Sequence, residues 1–216
     1  NVLKVEKLQK CKYFNMNWQD NSAKNEENYD EMSDAQIVEL ALINQEFFSH
    51  IINRYKTKLF IYIRRISNLE PEEAEDVLQD VFIKVYQNLN DFDTSLKFSS
   101  WIYRITHNQV ISNFRKISAR PQKGSYDLED DMVKNIASEL DMTRDMDSSI
   151  LKDNISKVLL GIDAKYREIL ILKFLEEKSY NEISDIIKKP VGTVGSMMNK
   201  AKKEFKKELE SKKINI

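Results

Sequence analysis

A chain of 216 residues with 41% hydrophobic and 32% charged content has room for one large domain or two small ones, each with a modest core. Four glycines and three prolines are too few for a fold built on many tight turns, so an all-α architecture is expected over a sandwich or barrel. A formal net charge of -1 argues against a uniformly basic nucleic-acid binder, and a single cysteine, Cys11, excludes an internal disulfide and makes the cytoplasm the expected compartment.

Residues 1–33 are polar and Asn-rich without a sustained period, and read as a flexible N-terminal extension. The opening run NVLKVEKLQKCKYFNMNWQD alternates apolar and charged residues too closely for a signal peptide. No stretch of the chain approaches the ~20 apolar residues of a membrane span. Ser33 or Asp34 then offers an N-cap for a helical pattern reaching Ile66, with Gln45 marking where it can divide in two.

Glu70-Pro71-Glu72-Glu73 is a helix start, with proline in the first turn and acids at the positive end of the dipole. The helix that follows places Leu78, Phe82, Val85 and Leu89 on one stripe, widened by Val77 and Val81. Asp76, Asp80, Lys84 and Gln87 form the opposite row, with Gln79 flanking it and an Asp80–Lys84 pair at i,i+4 spacing. A loop, NDFDTSLKFSS, leads to a third segment, WIYRITHNQVISNFRK, with Trp101, Ile105, Val110, Ile111 and Phe114 at helical spacing. Phe98 and Trp101 lie beside that stripe and are expected in the core.

Helical periodicity dissolves between Ile117 and Ser149, where acids dominate from Asp127 to Asp147, and residues 119–149 read as a flexible acidic linker. Charge is segregated, because Arg64, Arg65, Arg104, Arg115, Lys116 and Arg120 precede this stretch and a lysine-rich end follows it. A second helical block runs to Leu209 and contains YNEISDIIKKPVGTVGSMMNKAKKEF, two amphipathic segments joined by a short turn. Ile183, Ile186 and Ile187 give the first an apolar face, and Ser184 is small where two helices must approach closely. Val194, Met198, Ala201, Phe205 and Leu209 give the second its stripe. Opposite that stripe stand Ser196, Asn199, Lys200, Lys203 and Lys207, with Thr193 at the edge, an order that suits base edges first and phosphates next. Spacing alone favours the plainer reading, a hairpin with a solvated lysine face. Gly195 inside the second helix costs roughly 1 kcal/mol against alanine, and Lys188 stands where a C-cap prefers glycine.

Taken together, AEDVLQDVFIKVYQNL (74–89), LKFSSWIYRITHNQVISNFRK (96–116) and YREILILKFLEEKSYNEISDIIKKPVGTVGSMMNKAKKEF (166–205) closely resemble the extracytoplasmic-function group of bacterial sigma factors. The resemblance covers about residues 34–118 and 150–209, in the family's order. It implies two small helical domains, at 34–118 and 150–210, the second with a helix-turn-helix. It also implies an alternative sigma factor that binds core RNA polymerase and directs promoter-specific initiation, without a cofactor or catalysis.

By the same resemblance Asp76, Gln79, Asp80 and Lys84 would meet the polymerase clamp helices, and the second domain would sit near the flap. Phe92, Lys97, Arg104, Asn108, Asn113, Arg115 and Lys116 would hold the minus-ten element, with the loop around Phe92 as the place of base capture. Thr193, Ser196, Met197, Asn199, Lys200, Lys202 and Lys203 would read the minus-thirty-five element, Met197 against a thymine methyl and Lys202 or Lys203 on phosphate. The family usually carries Lys and Arg where this chain has Gly195 and Met197, so recognition is expected to lean on DNA shape and backbone. An anti-sigma factor wedged between the domains is a further implied partner. Two rivals stay open: a stand-alone helix-turn-helix regulator that needs no polymerase, and a protein that occupies polymerase or an anti-sigma factor without reading a promoter. His50 and His107 lie far apart, and no metal set, phosphate loop or nucleophile motif appears.

Overall fold

The computed structural model describes residues 29–67, 69–118, 155 and 157–213. The extension expected over 1–33 lies outside them up to residue 28, and the linker expected over 119–149 lies outside them entirely. Every regular element among the described residues is helical.

Ser33 caps the first helix, α1 (Asp34–Ile43), in a reciprocal capping box with Gln36. Asn44 leaves the helical region, a short 3₁₀ turn over Gln45–Phe47 follows, and α2 (Phe48–Ile66) begins, so the pattern divides at Gln45. Helix α3 (Pro71–Asn88) starts on Pro71 with a Glu70/Glu73 capping box, and its expected stripe from Val77 to Leu89 is buried. Helix α4 runs Phe98–Ser118, three residues earlier than the periodicity of Trp101 onward suggested. Its buried set is Phe98, Ser100, Trp101, Ile102, Tyr103, Thr106, Gln109 and Val110; Ile105 and Ile111 are half-buried and Phe114 is exposed. The difference arises because α4 is covered on more than one side, so a single stripe does not describe its contacts.

In the second half, residues 157–160 are helical, Asp163 caps α5 (Ala164–Leu170), and a π-helical turn over Ile171–Leu175 interrupts what the sequence offered as one continuous helix. Helix α6 (Tyr180–Ile187) opens with a Ser179/Glu182 capping box and α7 (Val191–Ser211) starts after Pro190. Lys188 takes the left-handed conformation at φ 53°, ψ 49° that a C-cap demands. Ser184, read from sequence as a spacer, donates its Oγ to Lys189 O at 2.6 Å and so ties the hairpin turn.

The expected stripe on α7 is observed: Val194, Met198 and Ala201 are buried, and Phe205 and Leu209 pack partly against the core. Val158, Leu159, Ile162, Ile169 and Leu170 join Met198 and Ala201 in a core that belongs to the second half alone. Ile171, Leu172, Ile183, Ile186 and Val194 instead join the core of α1–α4, so the two halves are docked rather than separate. Arg64 and Arg65, counted in sequence among the cations that precede the acidic stretch, are both buried; Arg64 sits 5.9 Å from the Phe60 ring centre and Arg65 pairs with Glu176.

Candidate polymerase and nucleic-acid interfaces

On α3 the core stripe turns Asp76 and Asp80 outward with Lys84, while Gln79 is half-buried beside them. Asp80 and Lys84 do not close the i,i+4 pair that their spacing offers. Gln109, 4% exposed on α4, inserts between them: its Nε2 donates to Asp80 Oδ2 at 2.7 Å and its Oε1 accepts from Lys84 Nζ. A buried amide can satisfy both ends in this way, and it fixes the carboxylate and the ammonium in one orientation.

Below that bridge, Lys84, Asn88, Asp91, Trp101, Ile105 and Asn108 line a cleft of about 320 Å³ between α3 and α4. Its size is at the lower end of pockets that hold small organic groups. One wall is aromatic and aliphatic and the rest carries amides, a carboxylate and an ammonium, the mixture that an unstacked nucleobase requires.

Phe92 does not offer the free stacking face expected of it. It is 9% exposed and packs 5.1 Å from Trp101 and 5.4 Å from Phe98, ring centre to ring centre, so it braces the cleft from behind. Phe98 and Trp101 are buried as the sequence suggested.

At 100° per residue, Arg104, Asn108 and Arg115 fall within about 40° of one another and form a track along α4, with Lys97 immediately before its first residue. Asn113 and Lys116 point away from it by the same geometry, and Asn113 is half-buried. Lys97 Nζ lies 3.2 Å from Glu182 Oε1 of α6, an exposed pair on the cation's side. Burial alone would raise the Glu182 carboxyl, but the Ser179 hydroxyl and backbone N–H and the Lys97 ammonium outweigh it and bring the group down to about 2.

The α7 surface is different in kind. Thr193, Ser196, Lys200 and Lys203 are exposed on one face, with Asn199 exposed at its flank. Ser196 Oγ donates to Thr193 O at 2.8 Å, which leaves its oxygen as an acceptor. Met197, expected against a thymine methyl, is half-buried against the second core. Lys202 lies on the far side from Lys200 and stands 5.9 Å from the Phe174 ring centre. Gly195 has a helical backbone, and a Cβ built there meets nothing within 4 Å, so neither strain nor crowding demands glycine.

Gln109, Asn88, Asp91 and Ile105 were not singled out by sequence reasoning as site residues. No local pattern marks them, since their roles depend on where α3 and α4 cross. Among the described residues no group of His, Cys, Asp and Glu is placed to hold a metal, and no helix is long and apolar enough to cross a membrane.

Residues 51–120 match the family model of sigma-70 region 2, and residues 152–205 match that of sigma-70 region 4. The chain is 32% identical over 176 residues to the ECF RNA polymerase sigma factor SigW of Bacillus subtilis, covering 77% of this chain and 90% of that protein. It is 28% identical over 167 residues to the RNA polymerase sigma-H factor of Pseudomonas aeruginosa, covering 76% and 86%. Among solved structures, the fold is similar to CnrH in complex with the cytosolic domain of CnrY, with a TM-score of 0.60 at 20% identity, covering 82% of this chain and 97% of that one. It is also similar to the sigma factor RpoE in complex with the anti-sigma factor NepR from Bartonella quintana, with a TM-score of 0.56 at 19% identity, covering 76% and 96%. With region 2 and region 4 in order and such identity across nearly the whole of a relative, the chain belongs to the ECF sigma factors of bacterial RNA polymerase, initiation factors that direct transcription and are not enzymes.

Proposed function

We propose that this factor divides its work between two units, residues 34–118 for polymerase and the minus-ten element and residues 150–210 for the minus-thirty-five element. As a sigma factor it acts in the cytoplasm with core RNA polymerase and promoter DNA. The outward row of α3, Asp76, Gln79, Asp80 and Lys84, docks on the clamp helices, and the second unit lies near the flap. The cleft between α3 and α4 takes one unstacked base of the minus-ten strand, with Asn108 and Asn88 reading its edge and the Lys97–Arg104–Arg115 track holding the backbone. Helix α7 enters the minus-thirty-five major groove through Thr193, Ser196, Asn199, Lys200 and Lys203. An anti-sigma factor binds this chain, as NepR binds the relative crystallised with it.

The observation that carries this reading is the Gln109 bridge. It links the polymerase-facing Asp80 to Lys84, which also lines the cleft, so docking on polymerase and capture of a base share one rigid corner. Binding of labelled full-length chain to purified core polymerase tests it. Asp76→Arg, an exposed change that leaves the bridge intact, should weaken binding ~10-fold or more, and Asp80→Arg, which also breaks the bridge, should weaken it further. Binding of the folded wild type that neither substitution alters would exclude the α3 row as the docking surface. Tight promoter binding by the chain without polymerase would favour the stand-alone regulator.

A further inference from the structure

Asp80 and Lys84 stand one turn apart on the exposed side of α3, carboxylate before ammonium, the order in which an i,i+4 pair forms most readily. They do not meet, because the side chain of Gln109, a residue of α4 only 4% exposed, stands between them. Its orientation has one solution. A carboxylate only accepts and an ammonium only donates, so Nε2 must face Asp80 and Oε1 must face Lys84. The observed bonds obey that rule, with Nε2 donating to Asp80 Oδ2 at 2.7 Å and Oε1 accepting from Lys84 Nζ.

Lys84 lines the cleft between α3 and α4 and is the one cation among the residues of that lining. Asp91 brings a negative charge to the same wall, which opposes the approach of a nucleotide with its phosphate. An ammonium folded back on Asp80 would leave the lining with no positive charge to offset it.

We propose that Gln109 is a positioning residue that holds Asp80 and Lys84 apart, so that the carboxylate stays available to polymerase and the ammonium stays at the cleft to meet the captured nucleotide. The inference rests on the reading that the cleft takes an unstacked base, and adds to it the group that decides which partner Lys84 serves. Gln109 is itself buried and acts only through its two neighbours. An uncharged amide suits this place. A carboxylate there would attract Lys84 and repel Asp80, an ammonium would do the reverse, and an aliphatic side chain would let the pair close.

Opposite charges at position 109 test the proposal. Full-length Gln109→Glu, Gln109→Lys and Gln109→Leu are compared with wild type for core polymerase binding and, as holoenzymes, for permanganate reactivity per bound promoter, with circular dichroism confirming that each chain is folded. Gln109→Glu keeps an acceptor for Lys84 and should open the promoter within about twofold of wild type, while core binding weakens about tenfold. Gln109→Lys keeps a donor for Asp80 and should retain core binding while opening falls about tenfold. Gln109→Leu should also open poorly, and Asp80→Asn added to it should recover about two- to threefold, the worth of an i,i+4 pair, because Lys84 then has no carboxylate to close on. A side chain that merely filled space would make Gln109→Glu and Gln109→Lys fail alike, and that result in folded chains would overturn the proposal.

The Lys84 ammonium signal in nitrogen-detected NMR of the free chain reads its placement without DNA. Proton exchange should be slow in wild type and Gln109→Glu and fast in Gln109→Lys and Gln109→Leu, and equal exchange in all four would also overturn the proposal. If Asn108→Ala opens poorly and every Gln109 variant opens normally, the proposal falls and the cleft reading stands. If Asn108→Ala opens normally while exchange follows the expected order, the placement of Lys84 is supported and the cleft reading falls.

Discussion

The α4 face and the α7 face are both proposed to hold DNA, yet they are built in opposite ways. On α4 the groups converge on a concave cleft, where Trp101 and Ile105 form a wall, Phe92 and Phe98 brace it, and a buried Gln109 fixes its rim. On α7 Thr193, Ser196, Lys200 and Lys203 project from a convex, solvent-covered surface with no brace beyond a helix. An unstacked base must be surrounded to repay the few kcal/mol lost on leaving its stack. A groove is already concave, so the protein supplies the convex partner and needs no cavity. On the proposed reading, concavity goes with strand separation and a bare helix face with duplex reading.

The sharpest way to break this comparison is at α7. Lys200→Glu/Lys203→Glu should abolish promoter-specific transcription, by ~100-fold or more, while leaving core binding intact. The residual DNA affinity should also lose roughly two units of its logarithmic salt slope, one for each phosphate contact removed. A lesser loss is expected on the other face. Asn108→Ala should slow promoter opening about tenfold, the worth of one hydrogen bond of about 1.4 kcal/mol to a captured base, without weakening duplex docking.

A substitution that sharpens the comparison rather than breaking it is Gly195→Ala. Nothing lies within 4 Å of the added Cβ, so the helix gains up to roughly 1 kcal/mol and Tm rises by about 2–4 °C. Promoter selectivity should be unchanged if Gly195 contributes no contact, and in vitro transcription from matched and mismatched sites measures that. The smallest effect is expected from acid. Glu182 has a folded value held down at about 2, so its stabilisation is complete above the ordinary carboxylate range near ~4.3 and is lost as pH falls towards 2. Hydrogen exchange of the first turn of α6 should accelerate over that interval in wild type and stay flat in Glu182→Gln.

Local signals carried most of the helical plan. Ser33, Pro71 and the repeating apolar positions on α3 and α7 act through neighbours in the same helix, so their consequences are legible in a linear string. The π turn at Ile171–Leu175 had no such marker, since ILKFL continues a good helical pattern and yields only when packing asks for it. Site residues divided along the same line. Lys200 and Lys203 could be placed from the helical wheel alone. Gln109 and the cleft could not, because they exist only where two helices cross, with Gln109 standing 25 and 29 residues from the partners it bridges. Phe92 misled for a related reason: an aromatic residue in a polar loop reads as exposed until Phe98 and Trp101 are found folded over it. The bonds from Tyr62 to Glu168 and from Arg65 to Glu176 span 106 and 111 residues and leave no trace in periodicity.

The division of labour between the two faces is tested most directly by permanganate reactivity of unpaired thymines on a promoter selected by the holoenzyme from a random DNA pool. Wild type should dock and open it. Asn108→Ala holoenzyme should dock normally and open poorly, whereas Lys200→Glu/Lys203→Glu holoenzyme should fail to dock at all. If Asn108→Ala opened the promoter as wild type does, or if both variants lost docking alike, the assignment of strand capture to α4 and duplex reading to α7 would be contradicted.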